Sequence, residues 1–249
     1  MVKMNEFREH KIEWDDEKVS RLWSFYSKNY PYNEMYFTKV FGKDILKRTK
    51  KIIKSFDDKV VLDFGCGPAF FIDHMVDLCI NPKKYIGLDF SKDSVSIVDR
   101  KEVRSFEKEG ILVRSMPSPV KEGSVDVCFL IEVLEHLNEI YLENTLKEIH
   151  RLLKVGGKLI ITTPNSEDLD FSNNFCPECG CIYHRFQHVR TWTKSSLEQK
   201  LRLFSFTKVD IVETNFLPGN SMIKDLFIKL RDMLKGNRAS LFAIFKKII

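Results

Sequence analysis

Residues 60–71, VVLDFGCGPAFF, decide the fold. A run of apolar β-formers ends in an acid, Asp63. Gly65 and Gly67 follow, then an apolar segment that reads as a helix. The order is strand, glycine turn, helix. A side chain at either glycine would block a close ligand or forbid the dihedrals the turn needs. The opening of the next helix supplies free N–H groups. A dinucleotide fingerprint wants glycine or alanine three residues after the second glycine, where this chain has Phe70. Asp63, just ahead of the turn, would repel a pyrophosphate and suits a cationic ligand.

Outward from this turn the pattern alternates. Strands are expected near 59–64, 84–89, 111–114, 125–131 and 158–163, and helices near 69–79, 92–107, 139–153 and 194–203. Alternation of this kind implies a parallel sheet with right-handed crossovers. The tail reads as a strand over 206–214, an amphipathic helix over 221–236 and another strand over 239–248. Upstream, residues 15–30 read as a helix with Asp15 as its N-cap and Pro31 ending it, and a second helix follows over 34–55. The segments expected are a helical lid (1–58), a cofactor-binding core (59–165), a Cys/His-rich insertion (166–190) and a C-terminal part completing the sheet (191–249).

Composition narrows the function. The 249 residues carry 40 basic and 35 acidic side chains, a net charge of +5, too mild to imply nucleic acid. No window reaches the roughly 18 apolar residues of a membrane span, and MVKMNEFREHKIEW lacks the apolar core of a signal peptide. A cytoplasmic protein is expected. Cys66, Cys79 and Cys128 fall in segments that should be buried. Cys176, Cys179 and Cys181 cluster in a polar loop, where a reducing compartment suggests metal before disulfide.

Four motifs, VLDFGCGP, YIGLDFS, SVDVCFLIEVLEHL and LLKVGGKLIITTPN, together resemble the class I S-adenosylmethionine-dependent methyltransferases, from about residue 60 to 165. The resemblance implies a Rossmann-like three-layer α/β sandwich. Its seven-stranded sheet is mostly parallel, with the last strand, near 241–246, antiparallel. It also supplies the cation, since S-adenosylmethionine carries a sulfonium and an ammonium group. Asp63, Phe64, Gly65, Cys66 and Gly67 then lie at the methionine end. Asp89, at the end of the second strand, suits the ribose hydroxyls or, alternatively, caps the next helix. Phe90 is a candidate wall for the adenine. Many relatives carry an acid near the adenine amino group. ILVRSMPSP has none, which leaves backbone groups around Arg114, Ser115 and Met116, or apolar contact.

Past the fourth strand, Ile131 and Glu132 are expected to line the transfer channel, with His136 as a base toward an acceptor hydroxyl or amine. Glu132, Glu135 and His136 are spaced to share one helical face. Some similar methyltransferases hold a divalent metal with such an E-x-x-E-H set, and a capping or core role is the alternative. In CPECGCIYHRFQH, Cys176, Cys179, His184 and His188 offer four ligands for tetrahedral zinc, with Cys181 to spare. HVRTWT, which includes His188, also matches a stretch that many similar enzymes have without zinc. Among the N-terminal aromatics, Tyr26 and Tyr36 are candidates for cofactor contact. The apolar face of 221–236 reads as packing on the sheet or on a twin subunit, or as a lipid-facing patch. The acceptor expected is a small metabolite, sugar or lipid-linked intermediate. RNA methylation and a non-catalytic binding module are the rivals.

Overall fold

A computed structural model describes residues 7–219, Asp225 and 238–249. Most of the expected strands form, at β2 (Val60–Phe64), β3 (Lys84–Asp89), β5 (Val125–Ile131), β6 (Leu153–Pro164), β9 (Phe206–Thr214) and β10 (Ser240–Lys247). With β4 (Glu107–Leu112) they make one seven-stranded sheet in the order β4-β3-β2-β5-β6-β10-β9. Neighbours from β4 to β6 are parallel. β10 runs antiparallel to both β6 and β9, so it is the one reversed strand, as the resemblance implied.

Side chains alternate across the strands, and both faces are covered. Leu62, Cys128, Leu130 and Ile161 pack on one side against α5 (Glu139–Leu152) and α6 (Lys194–Arg202). Val61, Phe129 and Ile160 pack on the other against α2 (Phe37–Ile53), α3 (Phe70–Asp77) and α4 (Lys92–Arg100). Three layers result. α1 (Asp16–Lys28) is capped as expected by Asp15, whose carboxylate accepts the Lys18 N–H at 2.8 Å. Thr193 caps α6 in a reciprocal pair with Ser196.

The departures have local causes. The second helix begins at Phe37, because a short 3-10 turn, Tyr32–Glu34, occupies its expected start. α4 stops at Arg100, and the next strand occupies Glu107–Leu112 rather than 111–114. Gly110 sits inside β4 opposite Gly87. A Cβ on Gly110 would come within 2.5 Å of the Val95 carbonyl oxygen, so glycine there lets α4 cross close to the strand. The insertion is a β-hairpin of β7 (Asn173–Phe175) and β8 (Cys181–His184), and an N-terminal strand, β1 (His10–Lys11), joins β8 in parallel. The helix expected over 221–236 lies outside the described residues except for Asp225. No described helix is long and apolar enough to cross a membrane.

Candidate active site

Parallel α/β sheets present ligand sites at the carboxyl ends of their strands. Here β2 ends at the glycine turn, β3 at Asp89 and β5 at Ile131. Gly65 and Gly67 have φ of +78° and +48°, the left-handed region that glycine tolerates best. The Gly65 N–H donates to the Leu88 carbonyl at 2.7 Å, which ties the turn to β3. Asp89 completes the tie. Its two carboxylate oxygens accept the N–H groups of Gly67 (2.9 Å) and Ser91 (2.7 Å). The helix cap is Ser91 rather than Asp89. Asp89 therefore holds the turn to β3.

Asp63 is buried and accepts the Tyr85 hydroxyl at 2.6 Å. Burial raises its pKa to about 7, and the charge of Asp89 adds to this against the Tyr85 bond. Tyr36 covers the turn: a Cβ built on Gly67 would sit 3.8 Å from its ring. Burial, followed by the Asp89 charge, pushes the Tyr36 phenol up to about 12. Phe64 and Cys66 face the core, the Cys66 sulfur lying beside Gly87. Any part they play at a ligand is through backbone. Phe90 is half-exposed at the rim, at 55%. Ser115 and Met116 follow β4 in a loop tied to β3 by the Val113 N–H on the Asp89 carbonyl (2.9 Å).

Beyond β5 the expected shared helical face does not form. Glu132 has a φ of +51°, the chain then makes a 3-10 turn over Leu134–His136, and α5 starts only at Glu139, capped by Asn138. Glu135 and His136 are nonetheless brought inward. Glu135 accepts the Thr163 hydroxyl at 2.9 Å, and the His136 ring meets His188 at 4.8 Å and Trp23 of α1 at 5.1 Å between centroids. His188 stacks on His184 at 4.5 Å and pairs through Nδ1 with Glu167 at 2.5 Å. Burial, with His188 adding to it, lowers the His136 pKa to about 3, so the ring stays neutral. Burial raises both Glu132 and Glu135, and the charge of Glu132 raises Glu135 further. Oε1 of Glu132, Oε1 of Glu135 and Nδ1 of His136 are buried without a hydrogen-bond partner.

Among the described residues, two groups bring ligand atoms within 4.8 Å of one another: Glu135–His136–His188 and Glu167–His184–His188. No cysteine belongs to either. The expected set of Cys176, Cys179, His184 and His188 is not assembled, and the reason is strand geometry. Cys181 and His184 are an odd number of residues apart in β8, so they point to opposite faces. Cys176 is bonded across from Cys181 (N–H to carbonyl, 2.9 Å) and shares its face. Glu167, part of this neighbourhood, carried no sequence signal, since it comes from a separate segment; Trp23 belongs to the N-terminal aromatics. Tyr26 contacts this end rather than the glycine turn, its hydroxyl donating to the Arg185 carbonyl at 2.5 Å.

Residues 62–161 match the family model described as a methyltransferase domain. Over that stretch, which runs from β2 into β6, the chain is similar to a methyltransferase domain. It is 33% identical over 128 residues to an uncharacterized protein of Methanocaldococcus jannaschii, spanning about half of each (50% and 51%). Over 196 residues it is 26% identical to the demethylmenaquinone methyltransferase of Lactococcus lactis, covering 74% of this chain and 76% of that one. Among solved structures, the Burkholderia thailandensis 1,6-didemethyltoxoflavin-N1-methyltransferase with S-adenosylhomocysteine bound shares the fold. Its TM-score is 0.62 at 16% identity, over 97% of this chain and 94% of that one. The Glu/His cluster follows β5, the strand next to the β2 that carries the glycine turn.

Proposed function

We propose that this chain transfers the methyl group of S-adenosylmethionine to an acceptor that carries a removable proton, a hydroxyl or a neutral amine. The acceptor is a small metabolite, sugar or lipid-linked intermediate. The observation that carries the reading is the buried Glu/His cluster immediately after β5, next to the β2 turn that suits the cofactor. Asp63 would order the cofactor ammonium and Asp89 the ribose hydroxyls. Tyr36 would close over the turn, and Ser115 and Met116 would border the adenine. The sulfonium is already an activated donor, so the protein's main task is to align the acceptor opposite the breaking bond. The acceptor oxygen or nitrogen attacks the methyl carbon, the carbon–sulfur bond breaks, and S-adenosylhomocysteine leaves. His136, held neutral, would accept a hydrogen bond from the acceptor O–H or N–H and so aim its lone pair at the methyl carbon, the proton passing to solvent. A small acceptor agrees with the names of the menaquinone and toxoflavin enzymes to which the chain is similar.

The unpartnered atoms favour a second use of the same cluster. Glu135, His136 and His188 offer mixed oxygen and nitrogen ligands, a set that fits a divalent cation. When bound, such an ion supplies positive charge that lowers the pKa of an acceptor hydroxyl.

The deciding experiment incubates the protein and labelled S-adenosylmethionine with cell extract, with and without chelator, and separates small-molecule, lipid and RNA fractions. Label in the small-molecule or lipid fraction is expected. Label confined to RNA would overturn the acceptor class. Absence of any S-adenosylmethionine binding would leave a non-catalytic module. Chelator-sensitive transfer would favour the cation over His136 acting alone.

A further inference from the structure

The three clustered cysteines are not used by the site above, and the small sheet places them in an arrangement of their own. β8 is the central strand of the order β1-β8-β7. His10 of β1 is in register with Cys181 of β8, and Cys176 follows β7 directly across from Cys181, its N–H donating to the Cys181 carbonyl at 2.9 Å. Residues in register share a face. His10, Cys181 and Cys176 therefore form a row across three adjacent strands, on the face opposite His184. Cys179 sits in the turn that joins the hairpin. There the Gly180 N–H donates to the Cys176 carbonyl at 2.9 Å, and Gly180 takes a φ of +76°.

The β1 strand is clamped to this turn. The His10 N–H donates to the Gly180 carbonyl at 3.0 Å, and a Cβ on Gly180 would lie 2.4 Å from the Arg8 carbonyl oxygen. His10 Nδ1 is engaged with that same Arg8 carbonyl, at 3.1 Å. This leaves Nε2 as the ligating nitrogen. A metal-bound histidine commonly has its other ring nitrogen fixed to a backbone carbonyl in this way.

We infer that Cys176, Cys179, Cys181 and His10 form a structural zinc site that staples the N-terminal strand to the insertion hairpin. Strand pairing sets the backbone positions, and binding would turn the four side chains toward one ion. Three thiolates and one imidazole close a tetrahedral shell, with no open position for chemistry. The thiols lose their protons to solvent as the ion binds, and no redox change is involved. The site stands apart from the Glu/His cluster, so it is independent of the proposed activity.

Metal analysis of the full chain, purified without chelator, tests this directly. About one zinc per chain is expected in the unmodified protein and in His184→Ala and His188→Ala. Zinc should be lost from Cys176→Ser/Cys179→Ser, and lost from His10→Ala on dialysis against a mild chelator. His10→Cys, which offers a fourth thiol, should keep it. Cobalt substitution should give the visible bands of a tetrahedral ion with thiolate charge transfer, weakened in Cys181→Ser. His10 and Cys179 are exposed, so their replacement leaves the main sheet intact. Zinc retained in His10→Ala but lost in His188→Ala would overturn the assignment, as would absence of zinc after reconstitution. S-adenosylhomocysteine binding, measured in the cysteine and His10 variants, should be unchanged. Its failure in the unmodified protein would count against the proposed function and not against the zinc site.

Discussion

The two halves of the sheet edge are built differently. The β2–β3 side presents backbone, two left-handed glycines and one acid that anchors them. The β5 side presents side chains drawn from α1, the segment after β5, and residues 167–188. A backbone cradle needs a short contiguous motif. A side-chain cluster needs long-range convergence and tolerates a different set of contributors in each protein. The first half therefore suits a shared cofactor, and the second an acceptor particular to this chain.

Gly67→Val should give the sharpest break. It asks a β-branched residue to adopt a φ of +48° and puts its side chain under Tyr36. Calorimetry should find S-adenosylhomocysteine binding abolished, with turnover lost in consequence. Measurable binding would show that the turn is not the cradle. His136→Gln is the counterpart on the other half. Once an acceptor is in hand, turnover should fall by ~10²- to 10⁴-fold with cofactor affinity unchanged. An equal fall in cofactor affinity would merge the two halves into one site. Smaller again is Asp89→Ala, expected to weaken the cofactor by ~1–3 kcal/mol, or about 5- to 150-fold. Part of that loss comes from freeing the Gly67 and Ser91 N–H groups, so a lower melting temperature should accompany it.

How far each half could be read from sequence follows from the same contrast. The run of apolar residues into Asp63, the glycine pair and the acid ending β3 lie within short windows, and the sheet they imply is the sheet observed. Caps such as Asp15 are equally local. The readings that failed depend on non-local facts. A helical spacing at Glu132, Glu135 and His136 gave no hint that Glu132 turns left-handed and α5 waits for Asn138. Cysteine and histidine spacing alone could not say that β8 would point Cys181 and His184 to opposite faces. A two-residue strand such as β1 is too short to show a period, so His10 carried no signal.

Asp63 offers a pH test of the cofactor half. Its folded pKa of about 7 lies above the ordinary aspartate value, so the folded chain holds a proton that the unfolded chain has released. Stability from this group is complete below about pH 4 and declines as pH rises toward 7. Ligand binding has the opposite sign, because the cofactor ammonium favours the carboxylate. Affinity should fall about tenfold per pH unit below 7 and level off above it. Asp63→Asn should flatten both slopes. A binding profile that is already flat in the unmodified protein would remove Asp63 from contact with the ammonium.

The smallest expected effect sharpens the other side of the comparison. α1 reaches the acceptor half through two polar contacts, Trp23 Nε1 to the Gln187 side chain (3.3 Å) and the Tyr26 hydroxyl to the Arg185 carbonyl. Tyr26→Phe keeps the ring stacked on Tyr32, whose centroid is 4.3 Å away, and removes only the hydroxyl. The Arg185 carbonyl then loses its partner, at a cost of about 0.5–1.5 kcal/mol. If α1 is a cover held over the Glu/His cluster, that cost should appear locally. Amide exchange should quicken over 16–28 and 185–188, while β2, β3 and β5 keep their protection. Cofactor affinity should not move, because the glycine turn makes no use of Tyr26. A uniform rise in exchange across the sheet would instead make α1 an integral part of the main core, and the boundary drawn between the two halves would have to shift to include it.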